Sequence, residues 1–218
     1  MIAYTAVETF NSSMGDRWTD YIKIHGSRVN LSHLKEIVSI DVCLCPTVIG
    51  YPIEKDKAYR LSVDHFFYDL FSDLDYMLTR IQTDKEFQVI AVAHNPNMDD
   101  VGGFTDGRFS FKGYDLMEDG TQISALTDCG GIFDLAYHGK DLSESGLITD
   151  FSKAYEIRDS LNRYYPEEAH TDCSVWALWK FKEEHIPPIK KVTGARHIIK
   201  IRPLDEDEIK HELKYKMV

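Results

Sequence analysis

The sequence predicts an α+β fold, a mixed or mainly antiparallel sheet packed against two or three helices. Three observations carry this. Apolar residues make up 43% of the 218-residue chain, enough to bury a sizeable core. Short β-branched runs and helical-period runs both occur. They follow one another without a regular βαβ rhythm, which points away from a parallel sheet. Residues 1–202 are expected to form one α+β domain, and residues 203–218 a charged C-terminal tail or peripheral helix.

Taken in order, "LSHLKEI" suggests a short helix after Ser32, and "IVSIDVCLC" (37–45) a β-branched, alternating strand. The apolar stripe Val63, Phe66, Phe67, Leu70, Phe71, Leu74, Met77, Leu78 and Ile81 predicts a helix over 62–82. Ser62 would cap it, with Asp64, Asp69, Asp73 and Asp75 outside. "EFQVIAVAH" (86–94) reads as a buried strand. Residues 94–107, "HNPNMDDVGGFTDG", read as a loop, and structureless loops of ~12–15 residues are often functional.

Strands are expected at 108–116 and 121–127, joined by a tight turn at Asp119-Gly120. A helix over 152–164, capped by Ser152, would turn Ala154, Ile157 and Leu161 inward and stop before Pro166. A third helix is expected to begin at Thr171 or Asp172 and to include "CSVWALWKFKEE", ending at Pro187-Pro188. "RHIIKIRPL" (196–204) would add an edge strand that Pro203 terminates.

The net charge is −11. Attraction to a phosphate backbone requires Lys and Arg that release counterions, so a nucleic-acid partner is disfavoured. Residues 180–202 run the other way: seven Lys and Arg against two Glu, read as a solvated charged surface. The N-terminal "MIAYTAVETF" has no basic region ahead of an apolar run, so no signal peptide is expected. The longest apolar runs, "VIAVA" and "VWALW", fall far short of the ~20 residues that span a bilayer. A cytoplasmic chain with reduced cysteines and no membrane contact follows as the expectation.

Chemistry is sought first around Cys129, which precedes Gly130 and Gly131, and around His170, Asp172 and Cys173 at the expected start of the third helix. A helix N-terminus lowers a thiol pKa, so Cys129 or Cys173 with His170 as base and Asp128 or Asp172 as orienter forms a candidate catalytic set. Cys129, His170 and Cys173 are also the residue types that hold zinc, but no Cys-x-x-Cys spacing accompanies them. The favoured reading is a packed corner, with no metal and no cofactor. An EF-hand register beginning at Asn95 fails at its sixth position, Asp100, and lacks Glu at its twelfth. Phosphate-loop, dinucleotide, metalloprotease and hydrolase motifs are absent from the sequence.

The functional expectation is therefore an acidic cytosolic interaction or inhibitor-type protein that binds a basic protein partner, of the class that neutralises a toxin or an enzyme. Negative surface steers and accelerates encounter with positive surface. Asp69 and Asp73 on the expected helix, and Asp99, Asp100 and Asp106 in the 94–107 loop, are the candidate contact residues. An enzyme using the Cys129 and His170–Cys173 neighbourhood is the alternative, and a structural component of an assembly is a third reading.

Overall fold

A computed structural model describes residues 1–26, 31–50, 57–63, 66–128, 141–164 and 172–187. The fold is α+β. Six strands, β1 (Ile2–Glu8), β4 (Arg60–Val63), β5 (Phe66–Phe71), β6 (Phe87–His94), β7 (Phe109–Glu118) and β8 (Cys173–Phe181), form one sheet in the order β4-β5-β1-β6-β8-β7. Every pairing in it is antiparallel. A second sheet pairs β2 (Phe10–Asn11) with β3 (Glu36–Ile37). The helices among the described residues are α1 (Asp16–Gly26), α2 (Leu74–Leu78), α3 (Met98–Gly103) and α4 (Phe151–Tyr164).

The centre of the sheet is buried on both faces. In β6 the consecutive residues Val89 to Ala93, and in β8 the consecutive residues Val175 to Trp179, are all inaccessible. A strand covered on both sides needs no polar alternation, so its sequence is a continuous apolar run. This corrects the helix expected from Thr171 or Asp172: "CSVWALWKF" is β8, held between β6 and β7. Its apolar density, read as too great for a free helix surface, is that of a central strand.

Residues 62–82 are corrected in the same way. They divide among the end of β4, β5 and the short helix α2. Leu70 and Phe71 are adjacent and both buried, as a two-sided strand allows. Asp73, expected on the outer face of one long helix, is instead the N-cap of α2: its carboxylate accepts the Tyr76 N–H at 2.8 Å. Leu74 and Met77 then keep the helical spacing into the core.

Four smaller expectations change. The 32–38 region contains a turn and then β3, not a helix. Of 37–45 only Ile37 lies in β3; the chain turns at 42–45, closed by Cys45 N–H to the Asp41 carbonyl at 2.8 Å. Residues 121–127 turn back on β7 without forming a strand, touching it through a single bridge from Ser124 to Met117. The 94–107 loop holds α3, whose capping box pairs Asn97 with Asp100. The Asn97 oxygen, at the third position of the register tested against calcium, is spent on the helix start.

The strands at 86–94 and 108–116 and the helix at 152–164 stand. Asp150, rather than Ser152, supplies the cap of α4, accepting the Lys153 N–H at 2.7 Å. Ala154, Ile157 and Leu161 are fully buried against β7 and β8. Tyr114 of β7 meets Phe151 of α4 edge-on at 5.7 Å. The neighbouring Asp115 necessarily points to the opposite face, where Ser39 reaches it. The 196–204 strand and the 203–218 tail lie outside the described residues.

A bulge aims these two side chains. β7 shifts register between Phe111 and Gly113, and Gly113 has φ +141°, with Ile148 O 2.6 Å from where a Cβ would stand. Only glycine takes this backbone beside so close a neighbour.

Candidate functional site

Of the sequence-predicted set, Cys129 and His170 lie outside the described residues, so their convergence with Cys173 is not described. Asp172 is exposed, and Cys173 is buried at the head of β8. With a strand there and no helix start, the dipole expected to lower the Cys173 thiol pKa is absent, which corrects that argument.

The acidic contact candidates are all described, and most hold structure. Asp69 pairs with Arg60 at 2.7 Å. Asp73 caps α2 and Asp100 closes the capping box of α3. Asp106 grips Arg108 through side-chain hydrogen bonds of 2.7–3.1 Å, which hold its carboxyl below the ordinary range. Asp99 lies exposed in the first turn of α3.

The most distinctive chemistry lies elsewhere. Asp115 is wholly buried in β7. Its Oδ2 accepts the Ser39 hydroxyl at 2.6 Å, and its Oδ1 accepts the Ser124 hydroxyl at 2.6 Å and the Leu116 N–H at 2.8 Å. Asp41, also buried, accepts the Cys43 and Leu44 N–H groups at 2.8 Å and the Ser124 N–H at 2.7 Å. The Ser124 hydroxyl in turn accepts from Leu126 and Thr127 N–H at 3.2 Å. Two carboxyls and two serines thereby fasten the 39–45 and 121–128 turns onto the buried face of β7.

Burial pushes Asp115 up to about 7 and Asp41 up to about 6, against the opposing pull of their hydrogen bonds. Asp128, half-buried beside Asp41, is also raised by burial. Perturbed carboxyls mark functional sites and structural polar knots alike. Apart from the Leu116 N–H of β7 itself, every hydrogen bond named here involves turn backbone or serine, the signature of a knot that shapes two loops.

Asp41, Cys43 and Asp128 bring their donor atoms within 4.8 Å of one another, the closest approach to a metal-ligand set among the described residues. Both Asp41 oxygens are already committed to three backbone N–H groups, which leaves little capacity for a cation. Burial, Asp41 and Asp128 push the Cys43 thiol up, and burial pushes Cys45 up further. These thiols are protonated near neutral pH, the reverse of an activated nucleophile.

Charge is the other feature of the site. The described residues contain 14 of the 25 Lys and Arg and 25 of the 36 Asp and Glu, so they carry the whole −11. Tyr155 of α4 joins this helix to the turn before α3, its hydroxyl donating to the Pro96 carbonyl at 2.6 Å. Burial, and then Asp100 and Asp159, push the Tyr155 hydroxyl up, so these two carboxylates lie near the junction; Asp99 follows in the first turn of α3, while Asp150 precedes α4 and Glu156 lies on it. A depression of about 410 Å³ at the start of α4 adds Asp141 to Asp150 and Glu156. Lys153, Arg158 and Arg163 are the cations of α4, and Arg158 is bound to Asp159 at 2.7 Å.

No known relative identifies the chain. No protein-family model, curated protein or solved structure matches it. Among the described residues no helix is long and apolar enough to cross a membrane. Sequence reasoning missed Asp41, Asp115, Ser39 and Ser124 because nothing in their spacing links them; Asp115 sits in "GYDLME", where one buried acid among apolar neighbours was the available signal.

Proposed function

We propose that the protein is an acidic binding protein whose partner is a basic protein, in the manner of a cytoplasmic inhibitor that neutralises a toxin or an enzyme. The observation that carries this reading is the excess of carboxylates over α3 and α4: Asp99 and Asp100 in the first turn of α3, Asp141, Asp150 and Glu156 around the depression at the start of α4, and Asp159 farther along it, against the three cations of α4. A surface with excess negative charge steers a positive surface toward it and sets a salt-dependent association rate. The net charge of −11 over the whole chain supports the same reading. The free thiols of Cys43 and Cys45 suit a reducing compartment.

Affinity capture at low salt with the full chain, followed by identification of the retained protein, tests this. The expected partner is basic, and its association rate falls steeply between 50 and 300 mM salt, the conditions we would use. The triple variant Asp99→Asn, Glu156→Gln, Asp159→Asn should slow association about tenfold or more with little change in folding. Retention of no basic protein, or a complex indifferent to both salt and the triple variant, would falsify the proposal.

A further inference from the structure

Asp41 and Asp128 sit in the two turns that close over β7, and a carboxyl oxygen of one lies within 4.8 Å of a carboxyl oxygen of the other. A hydrogen bond joins the two side chains. Ionised carboxylates only accept, so such a bond exists only while one of the pair keeps its proton. Asp41 is the buried member and Asp128 the half-buried one, and burial favours the neutral form. The hydrogen bonds of Asp41 leave room for that proton at one atom. Its Oδ1 is filled by the Cys43 and Leu44 N–H groups, both at 2.8 Å. Its Oδ2 accepts the Ser124 N–H at 2.7 Å and keeps a second position.

The groups around the pair offer no charge to replace the proton. Cys43 and Cys45, on the same turn as Asp41, are thiols pushed up by burial and by Asp41. From α1, Tyr21 donates its hydroxyl to the Thr127 carbonyl at 2.8 Å. Burial, and then Asp128 and Asp41, push that phenol up, so it stays neutral. Arg17 of α1 is the nearby cation; it donates to the Cys43 carbonyl at 3.4 Å and lies over the Phe10 ring at 4.9 Å. Among the described residues those contacts are to backbone and ring. From β7, Asp115 reaches Asp41 through Ser124 and adds a third acid.

We infer that Asp41 and Asp128 share one proton, and that their hydrogen bond is a pH-operated latch between the 39–45 and 121–128 turns. With the proton in place the two turns are tied. Once it leaves, the bond is lost and two like charges face each other in a half-buried site, a state that coupled carboxyls resist. The end of the 121–128 turn then lifts from Asp41, while β7 and the core stay paired. Burial, with Asp128 after it, pushes Asp41 up to about 6, and Asp128 is raised as well. The latch is therefore closed in mild acid and opens as pH climbs through neutrality.

The test is NMR on the full chain labelled with ¹³C and ¹⁵N. The carboxyl carbons of Asp41 and Asp128 should titrate together, in two steps about two pH units or more apart. The Asp128 N–H, which donates to the Ser124 carbonyl at 3.1 Å, reports closure. Its protection from exchange should fall about tenfold or more between about pH 6 and about pH 8, while the amides of β6 hold theirs. Asp128→Asn supplies a donor that does not titrate, so the turn should stay protected at both pH values. Asp128→Ala should leave it unprotected at both. Asp115→Asn should keep the two steps, which separates the latch from the stability that Asp115 itself confers. If Asp128→Ala does not fold, the parent titration and Asp128→Asn decide alone. Independent single-step titration of the two carboxyls, or an Asp128→Asn protein that loses protection as the parent does, overturns the inference.

Discussion

Asp41 and Asp115 are joined through one residue: Ser124 donates its N–H to Asp41 at 2.7 Å and its hydroxyl to Asp115 at 2.6 Å. Each carboxyl would prefer to be neutral, because each has been taken out of water. Their proximity adds to this, since Asp41 raises Asp115.

The folded protein therefore holds protons on this pair more tightly than the unfolded chain does. A carboxyl raised from 3.8 to about 6 or about 7 contributes stability that is complete below the unfolded value. That stability is lost as pH climbs through 6 and 7. Thermal unfolding should show a higher Tm at pH 5 than at pH 8, with a loss on the order of 2–4 kcal/mol. Asp115→Asn should flatten the profile; an unchanged slope in that variant would place the pH dependence elsewhere.

Ser124→Ala removes a donor from Asp115 and the acceptor of two N–H groups, Leu126 and Thr127. A loss of about 1–3 kcal/mol is expected by urea denaturation, typical for stranding buried polar groups. Because the Ser124 N–H to Asp41 is retained, the fold should persist. A neutral result would mean that water replaces the hydroxyl.

Gly113→Ala should be among the most damaging single-methyl additions in the described chain. Its φ of +141° strains any L side chain, and the added Cβ would lie 2.6 Å from Ile148 O and 2.8 Å from Leu147 Cβ. About 2–4 kcal/mol of destabilisation is expected. Gly120→Ala, with nothing within 4 Å, is the control and should lie within about 0.5 kcal/mol of the parent.

Cys43 is exposed yet predicted to be sluggish. Burial of the sulfur and the carboxyls of Asp41 and Asp128 hold its proton on. Alkylation by iodoacetamide near neutral pH should run slower than for a free cysteine, and Asp128→Asn should speed it. A rate above that of free cysteine would show an activating group that this geometry does not provide.

The fold class was legible because the mixture of periods was real, and several elements were legible for local reasons. In α4, Ala154, Ile157 and Leu161 recur at helical spacing beside polar residues, so one face is marked. β8 carried no such mark. "VWALW" is buried on every side, and a run of that kind fits a central strand and a buried helix equally until its neighbours are known. Residues 66–78 deceived differently: apolar residues of β5 and of α2 fall by chance on one continuous helical stripe, and Asp73, at the junction, was read as surface when it was a cap. β1 and α1 drew no assignment, since "IAYTAVE" alternates weakly and α1 buries chiefly Trp18 and Tyr21.

The candidate site was less legible than the fold. Asp41, Asp115 and Ser124 come together only after β7 receives two turns from distant parts of the chain. Composition, by contrast, does not depend on folding. The excess of carboxylates was visible from the first reading, and among the described residues most of them are exposed.

β8 is the last of the described strands to be made, yet it is inserted between β6 and β7. On the ribosome, β6 and β7 must wait with unsatisfied edges until residue 181 has cleared the exit tunnel, and only then can the sheet close. Synthesis of the final third of the chain is thus the vulnerable interval, when an apolar edge is open to other nascent chains. A stop codon placed before Cys173 should yield aggregate, whatever the soundness of the segments already made.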